Sequence, residues 1–238
     1  MKAMIFAAGL GTRLKELTRH TPKALVKTGE ITLLERTIVK LRESGVDDII
    51  INAHHFAEQI VDFVSQHYFG VKISISLEND LLLDTGGGLK HAEHFFNDGE
   101  PFIIHNVDII SDIDIQKMFH FHCRQQAIAT LAVRNRNTQR YLLFNDNLEL
   151  CGKENIKTKE RLLVPNKLNN EPLQLLAFSG IHIVSPKIFS FMPAKNIFPI
   201  TDVYFSAAQT QKVMAFVHNE GFWADMGKIE DIASFCEA

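Results

Sequence analysis

Two glycines, an arginine and a lysine near the amino terminus carry the clearest chemistry in this chain. They stand in the order Ala7-Ala8-Gly9-Leu10-Gly11-Thr12-Arg13, then Pro22-Lys23. Glycines after a short apolar run let backbone N–H groups approach phosphate oxygens with no Cβ in the way. Arg13 offers a two-pronged guanidinium and Lys23 a compact ammonium, so both suit a polyphosphate. Two familiar phosphate loops do not fit. No Gly-Lys-Ser or Gly-Lys-Thr follows Gly11, and Leu14 stands where a dinucleotide fingerprint needs its third glycine. Asp108 adds a carboxylate at the end of an apolar run, where ligands of open α/β sheets gather. A carboxylate there suits Mg²⁺, a hard cation that takes a few protein oxygens together with substrate phosphates.

The segment resembles the signature of the sugar-1-phosphate nucleotidyltransferases, in which a small-residue glycine loop, Gly-Thr-Arg and a later Pro-Lys follow in this order. The match covers Ala7-Ala8-Gly9-Leu10-Gly11-Thr12-Arg13-Leu14 and Thr21-Pro22-Lys23-Ala24-Leu25. It departs at Glu16, where the family often has proline, and at Val107, where many members have glycine. The resemblance implies that Ala8, Gly9, Gly11 and Thr12 meet the nucleotide, that Arg13 contacts the outer phosphates, and that Lys23 stabilises charge at the α-phosphate as pyrophosphate leaves. It implies Asp108 as one Mg²⁺ ligand. Trp223-Ala224-Asp225-Met226-Gly227 resembles a late W-x-D-x-G stretch whose Asp, here Asp225, supplies the second. The region around Asp84-Thr85-Gly86-Gly87-Gly88 corresponds to the family's base and ribose site, which nominates Glu78, Thr85, Gly86 and Gly87. Gly180, in Phe178-Ser179-Gly180-Ile181, falls where relatives hold the sugar; Asp202 lies in a further family element, and Arg140 is assigned to the sugar phosphate.

Each residue has a plainer reading: a solvated lysine, an arginine in a surface ion pair, a helix-capping aspartate, a turn before a helix. The joint occurrence of the glycine loop, Arg13, Lys23 and two carboxylates favours chemistry over these. Asp112-Ile113-Asp114 matches the D-x-D of metal-dependent glycosyltransferases, but three residues arise easily by chance. His91 with His94, and the cluster His120-Phe121-His122-Cys123, offer no third or fourth ligand for zinc and are read as surface or packed histidines.

The elements that must position these residues alternate between strand and helix patterns, which predicts a parallel sheet covered by helices. Strands are expected at 3–8, 48–52, 71–77, 101–107 and 127–133, with helices at 33–43, 57–67, 88–96 and 115–125. A hairpin is expected around Asn145-Asp146-Asn147, joining 141–144 to 148–151, then a polar loop over 153–172. Strands at 175–184 and 213–218 and helices at 186–191, 201–210 and 228–236 complete the pattern. The fold class is α/β, a Rossmann-like three-layer sandwich with a mostly parallel mixed sheet. We expect a single domain over 1–238, its nucleotide-binding half at 1–134 and its sugar-phosphate-binding half at 135–238. Many relatives continue into a left-handed β-helix, and a second activity of that kind is not expected here.

Composition bounds the partners. A net charge of −3 with no basic block disfavours nucleic acid. Cys123, Cys151 and Cys236 form no close pair, which points to a reduced, cytoplasmic protein. No apolar stretch reaches membrane-spanning length. The eighteen phenylalanines fall mostly at positions that read as core and are assigned to packing.

The expected reaction joins a nucleoside triphosphate to a sugar 1-phosphate, with Mg²⁺ as cofactor, in a monomer or small homo-oligomer. The opening Ala7-Ala8, the run Leu82–Gly88 and the compact length resemble short bacterial members that act on N-acetylmuramate 1-phosphate with UTP or on mannose 1-phosphate with GTP. The uridylyl type is placed first. Phosphocholine cytidylyl transfer, glycosyl transfer and a non-catalytic nucleotide-sugar-binding regulator are the alternatives.

Overall fold

In the computed structural model, which describes residues 1–79, 81–167 and 172–237, the first apolar run is strand β1 (Lys2–Phe6). Two 3₁₀ segments follow, Thr12–Thr18 and Lys23–Leu25, then a small hairpin of β2 (Lys27–Thr28) and β3 (Ile31–Thr32). Helix α1 (Leu33–Glu43) begins where the Thr32 hydroxyl accepts the Glu35 N–H, and it buries Leu34, Ile38 and Leu41 on one face. Next come β4 (Asp48–Ala53), α2 (Ala57–Gln66), β5 (Lys72–Leu77), α3 (Asp84–His91), β6 (Phe102–Asn106) and β7 (Ile109–Ser111). The second half holds α4 (Ile115–Gln125), β8 (Ala129–Arg134), β9 (Arg140–Phe144), β10 (Leu150–Asn155), β11 (Glu160–Leu163) and β12 (Gln174–Val184). It closes with α5 (Ile200–Ala208), β13 (Val213–Val217), β14 (Trp223–Asp225) and α6 (Ile229–Glu237).

One sheet runs through both halves, in the order β11-β10-β9-β12-β6-β1-β4-β5, with β8 and β13 branching from β12. The strands β6, β1, β4 and β5 are parallel, with Ala3 opposite both Ile49 and Ile103. β12 runs against them and joins the halves, pairing antiparallel with β6, β8 and β9. The result is a mixed sheet of mostly parallel strands with helices on both faces. Alternate side chains of β1 explain the two cores. Ala3 and Ile5 pack with α1, whereas Met4 and Phe6 share the other core with Leu89 of α3 and Tyr204 of α5.

Two expectations are corrected. The helix read at 88–96 starts earlier, at Asp84, so Gly86, Gly87 and Gly88 lie inside α3, and Glu93–Phe96 is a separate 3₁₀ turn. The polar loop read at 153–172 is in part strand: β10 continues to Asn155 and β11 pairs with it. Every residue of β11 is exposed, so no apolar alternation marks it. The 168–171 portion of that reading lies outside the described residues. Among the described residues no helix is long and apolar enough to cross a membrane.

Candidate active site

β1 delivers the glycine loop to the carboxyl end of the parallel strands. Ala7 N–H donates to Asn52 Oδ1 at 2.8 Å, which fixes the start of the loop. A Cβ on Gly9 would meet nothing within 4 Å, so this glycine faces open space. Gly11 differs. Its φ is +64°, and a Cβ would lie 2.8 Å from Thr18 Cγ2. Its carbonyl accepts the Leu14 N–H at 2.8 Å and the Thr18 hydroxyl at 3.0 Å. Gly11 therefore makes the turn into the 3₁₀ segment that begins at Thr12 and carries Arg13.

A cavity of about 420 Å³ opens above the loop, lined by Ala8, Gly9, Lys23, Glu78, Thr85 and Asp108 among others. Lys23 is buried at the start of its 3₁₀ turn, and its ammonium is ion-paired with Asp108 Oδ2. Asp108 sits in the turn between β6 and β7. β7 pairs with β14, setting Ile109 opposite Asp225, and Met226 N–H donates to the Asp108 carbonyl at 2.8 Å. This short ladder brings the second carboxylate to the first. Burial, and next the negative charge of Asp108, push the Asp225 carboxyl above its ordinary value, while Lys23 and Arg13 pull it down. Arg13 and Asp225 both border Gly227, where a Cβ would lie 2.7 Å from both Arg13 Nη2 and Asp225 Oδ1.

Glu78 and Asn52 form a buried polar bridge beneath the cavity. Asn52 Nδ2 donates to Glu78 Oε1 at 2.7 Å, and Leu83 N–H donates to Glu78 Oε2 at 2.9 Å. Gly88 packs on this bridge, where a Cβ would come within 2.7 Å of Glu78 Oε1 and 2.8 Å of Asn52 Nδ2. The bridge ties the glycine loop, β4 and the entry to α3 into one wall. Sequence reading missed Asn52. A polar residue near the carboxyl end of β4 was the available signal.

The neighbouring glycines are not free for a ligand in the way their sequence suggests. The N–H groups of Gly86 and Gly87 both donate to the Phe198 carbonyl, at 2.9 and 3.2 Å. The Thr85 hydroxyl accepts the Ile200 N–H at 2.9 Å while its residue stays on the cavity wall. The glycines let α3 dock against the segment before α5.

The second half contributes less directly than its sequence suggests. Gly180 has φ +77° at a bulge in β12, and a Cβ would lie 2.7 Å from Ile109 Cγ1 and 3.1 Å from Asn106 Nδ2. Its close approach is to residues of β6 and β7. Arg140 is exposed and lines neither this cavity nor the next. Asp202 pairs with Lys153 at 3.1 Å on the surface. Asp114 caps α4 by accepting the Lys117 N–H, and Asp112 accepts the Phe222 N–H, so both D-x-D carboxylates have structural partners. His122 is buried, with Nδ1 2.9 Å from the Thr130 hydroxyl.

A second cavity of about 470 Å³ lies beside the carboxylate pair, lined by Arg13, Arg136, Trp223, Asp225 and Lys228. Arg136 was not singled out by sequence. Nothing in the run Arg134-Asn135-Arg136 through Arg140 distinguishes one arginine from another before folding.

Among the described residues no three His, Cys, Asp or Glu side chains gather as a metal group. The Asp108–Asp225 pair fits a hard cation that takes its remaining oxygens from phosphate and water. Two neighbouring carboxylates, one with its ionised form disfavoured by burial and by the other, form a donor set that a cation relieves.

A family model described as nucleotidyl transferase matches residues 2–238. The chain is 27% identical over 249 aligned residues to a UTP–glucose-1-phosphate uridylyltransferase of Synechocystis, covering 97% of this chain and 61% of the relative. It is 29% identical over 236 residues to a probable mannose-1-phosphate guanylyltransferase of Oryza sativa subsp. japonica, covering 97% and 62%. The chain thus spans about three fifths of the length of these curated relatives. Among solved structures, its fold is similar to that of a putative glucose-1-phosphate thymidylyltransferase from Bacillus anthracis, with TM-score 0.81, 21% identity, and 100% and 94% of the two chains covered. It is also similar to HddC from Yersinia pseudotuberculosis complexed with GMP-PN, with TM-score 0.76, 24% identity, and 99% and 98% covered.

Proposed function

The chain belongs to the nucleotidyl transferase family, and we propose that it transfers a nucleotidyl group from a nucleoside triphosphate to a sugar 1-phosphate, releasing pyrophosphate. The observation that carries this reading is the buried Lys23–Asp108 pair set beside Asp225 at the wall of the glycine-loop cavity. An oxygen of the sugar phosphate attacks the α-phosphorus, and the bond from that phosphorus to the bridging oxygen of the β-phosphate breaks. No side chain becomes covalently attached. The work is positioning and charge neutralisation.

In this reading the loop at Ala8, Gly9, Gly11 and Thr12 receives the triphosphate, and Arg13 meets its outer phosphates. Lys23 exchanges Asp108 for the α-phosphate, where negative charge builds as pyrophosphate departs. Asp108 and Asp225 would hold Mg²⁺, which when bound neutralises phosphate charge. Glu78 and Thr85 line the wall toward base and ribose, with Gly86 and Gly87 behind them docking α3, and the halves 1–134 and 135–238 divide nucleotide from sugar within one domain.

For the substrate pair we place UTP with N-acetylmuramate 1-phosphate or a related hexose 1-phosphate first. The resemblance of the loop and of the run Leu82–Gly88 to short bacterial uridylyl enzymes supports it, as does the uridylyl name of one relative. Relatives named for mannose-1-phosphate guanylylation favour GTP with mannose 1-phosphate as the second reading. A panel of nucleoside triphosphates against these sugar phosphates, read by pyrophosphate release with and without Mg²⁺, tests the proposal. Release from one pair supports it; no release from any pair sinks it.

A further inference from the structure

Arg136 is a held cation with donors left over. Its guanidinium carbon lies 4.5 Å from the centre of the Trp223 ring. Its Nη2 donates to the Phe178 carbonyl at 3.1 Å, whereas its Nε is buried with no partner among the described residues. Trp223 is fixed in turn, its Nε1 donating to the Ser179 carbonyl at 2.9 Å. Both anchors, Phe178 and Ser179, belong to the bulge of β12 next to Gly180. The head of Arg136 borders the second cavity together with Arg13, Asp225 and Lys228. Burial lowers its pKa, and the Asp225 carboxylate offsets part of that.

An arginine stacked on an aromatic ring and tethered to backbone has lost most of its side-chain freedom before any ligand arrives. A guanidinium has five N–H donors, and the described partners take one of them. A phosphate monoester dianion matches its remaining fork. The location selects which phosphate. Lys23 and the glycine loop line the first cavity; Arg136 lines the second with Arg13, but it is tied to Phe178 and Trp223 of the second half, the half read as holding the sugar phosphate.

We propose that Arg136, seated on Trp223, binds the phosphate of the acceptor sugar 1-phosphate and holds it beside Asp225 for attack. This inference rests on the nucleotidyltransferase reading and assigns to Arg136 the contact that the sequence had suggested for Arg140, which lies exposed and outside both cavities. Arg13 remains with the nucleotide's outer phosphates.

Trp223 is the single tryptophan of the chain, so its emission reports on this seat directly. Titration with inorganic phosphate should change that emission in the wild type, and the response should be lost in Arg136→Gln and weakened in Arg136→Lys. With the substrate pair identified by pyrophosphate release, Arg136→Gln should raise KM for the sugar phosphate by about ten- to a hundredfold, as expected for a lost charge-assisted contact, with KM for the nucleotide changed less than about twofold. Arg140→Gln should leave both constants unchanged. Arg136→Lys, which keeps the charge and much of the packing, gives the same reading should the glutamine variant fold poorly. A phosphate response that survives in Arg136→Gln, or none in the wild type, overturns the proposal, as does a KM change that falls on the nucleotide. If no pair releases pyrophosphate, the parent reading fails, while the fluorescence titration still decides whether Arg136 binds phosphate.

Discussion

Lys23 and Asp108 meet as an ion pair across 85 positions of sequence, with both side chains largely withdrawn from water. Each neutralises the other in the absence of substrate. In the proposed reaction each has a different partner, phosphate for the lysine and a cation for the aspartate, so the pair is a resting arrangement of two working groups. A buried pair is also costly to break from one side, because the survivor is left as an uncompensated charge.

Lys23→Ala should therefore lower kcat by ~10²-fold or more, as for loss of a preorganised charge at the transition state. It should also lower the melting temperature, because Asp108 loses its partner. Adding Asp108→Asn should recover much of that stability without recovering the rate. A folded Lys23→Ala enzyme with a near-normal kcat would remove the lysine from the chemistry.

Asp108→Asn and Asp225→Asn should each weaken Mg²⁺ binding in calorimetric titration and reduce turnover. The double variant should be little worse than either single, because two carboxylates that share one ion act as a unit. Independent, multiplying losses would separate them. Since burial and the charge of Asp108 raise the Asp225 pKa, protons should compete with Mg²⁺ from a higher pH than for an ordinary aspartate, and affinity should fall on acidification.

Gly88→Ala should destabilise the fold by about 1–3 kcal/mol, the usual range for overpacking, because its Cβ intrudes on the bonded Glu78 and Asn52 side chains. Where it folds, KM for the nucleotide should rise more than KM for the sugar phosphate. A melting temperature equal to wild type would show that the bridge yields without cost.

Burial depresses the pKa of His182 to about 3 and those of His105 and His122 to about 4. These rings are neutral in the folded state, whereas in the unfolded chain they take up protons near pH 6.5. The unfolded state therefore binds more protons between about pH 6.5 and pH 4, and stability falls as pH drops through that window. His182→Gln, which can still hydrogen-bond Tyr204, should flatten the fall in melting temperature between pH 7 and pH 5. An unchanged slope would show that His182 titrates normally.

Much of the frame was legible because its signals are local. The edges of α1 follow from Thr32 as cap and from Gly45 after Ser44, and β1 follows from an apolar run that ends in glycine. What escaped depends on contacts distant in sequence. β7 and β14 have three residues each, too few for any periodicity, yet together they set Asp225 beside Asp108. Gly180 reads as an opening for a ligand in one dimension. In three it accommodates Ile109 and Asn106, so Gly180→Val would disturb the sheet before it reported on any sugar. Gly87→Val would likewise strike the Asn196 carbonyl. Arg136 and Arg140 are equivalent as text, and only the fold gives one of them an aromatic seat.

The ladder between β7 and β14 also dictates an order of assembly. Its strands lie far apart in the chain, and the bond from Phe222 N–H to Asp112 that flanks them spans 110 residues. During synthesis the glycine loop, Lys23 and Asp108 leave the ribosome early and can meet while much of the chain is still unmade. The second carboxylate and the tryptophan seat come last. A nascent chain thus has Lys23 and Asp108 in hand long before it can set Asp225 beside them.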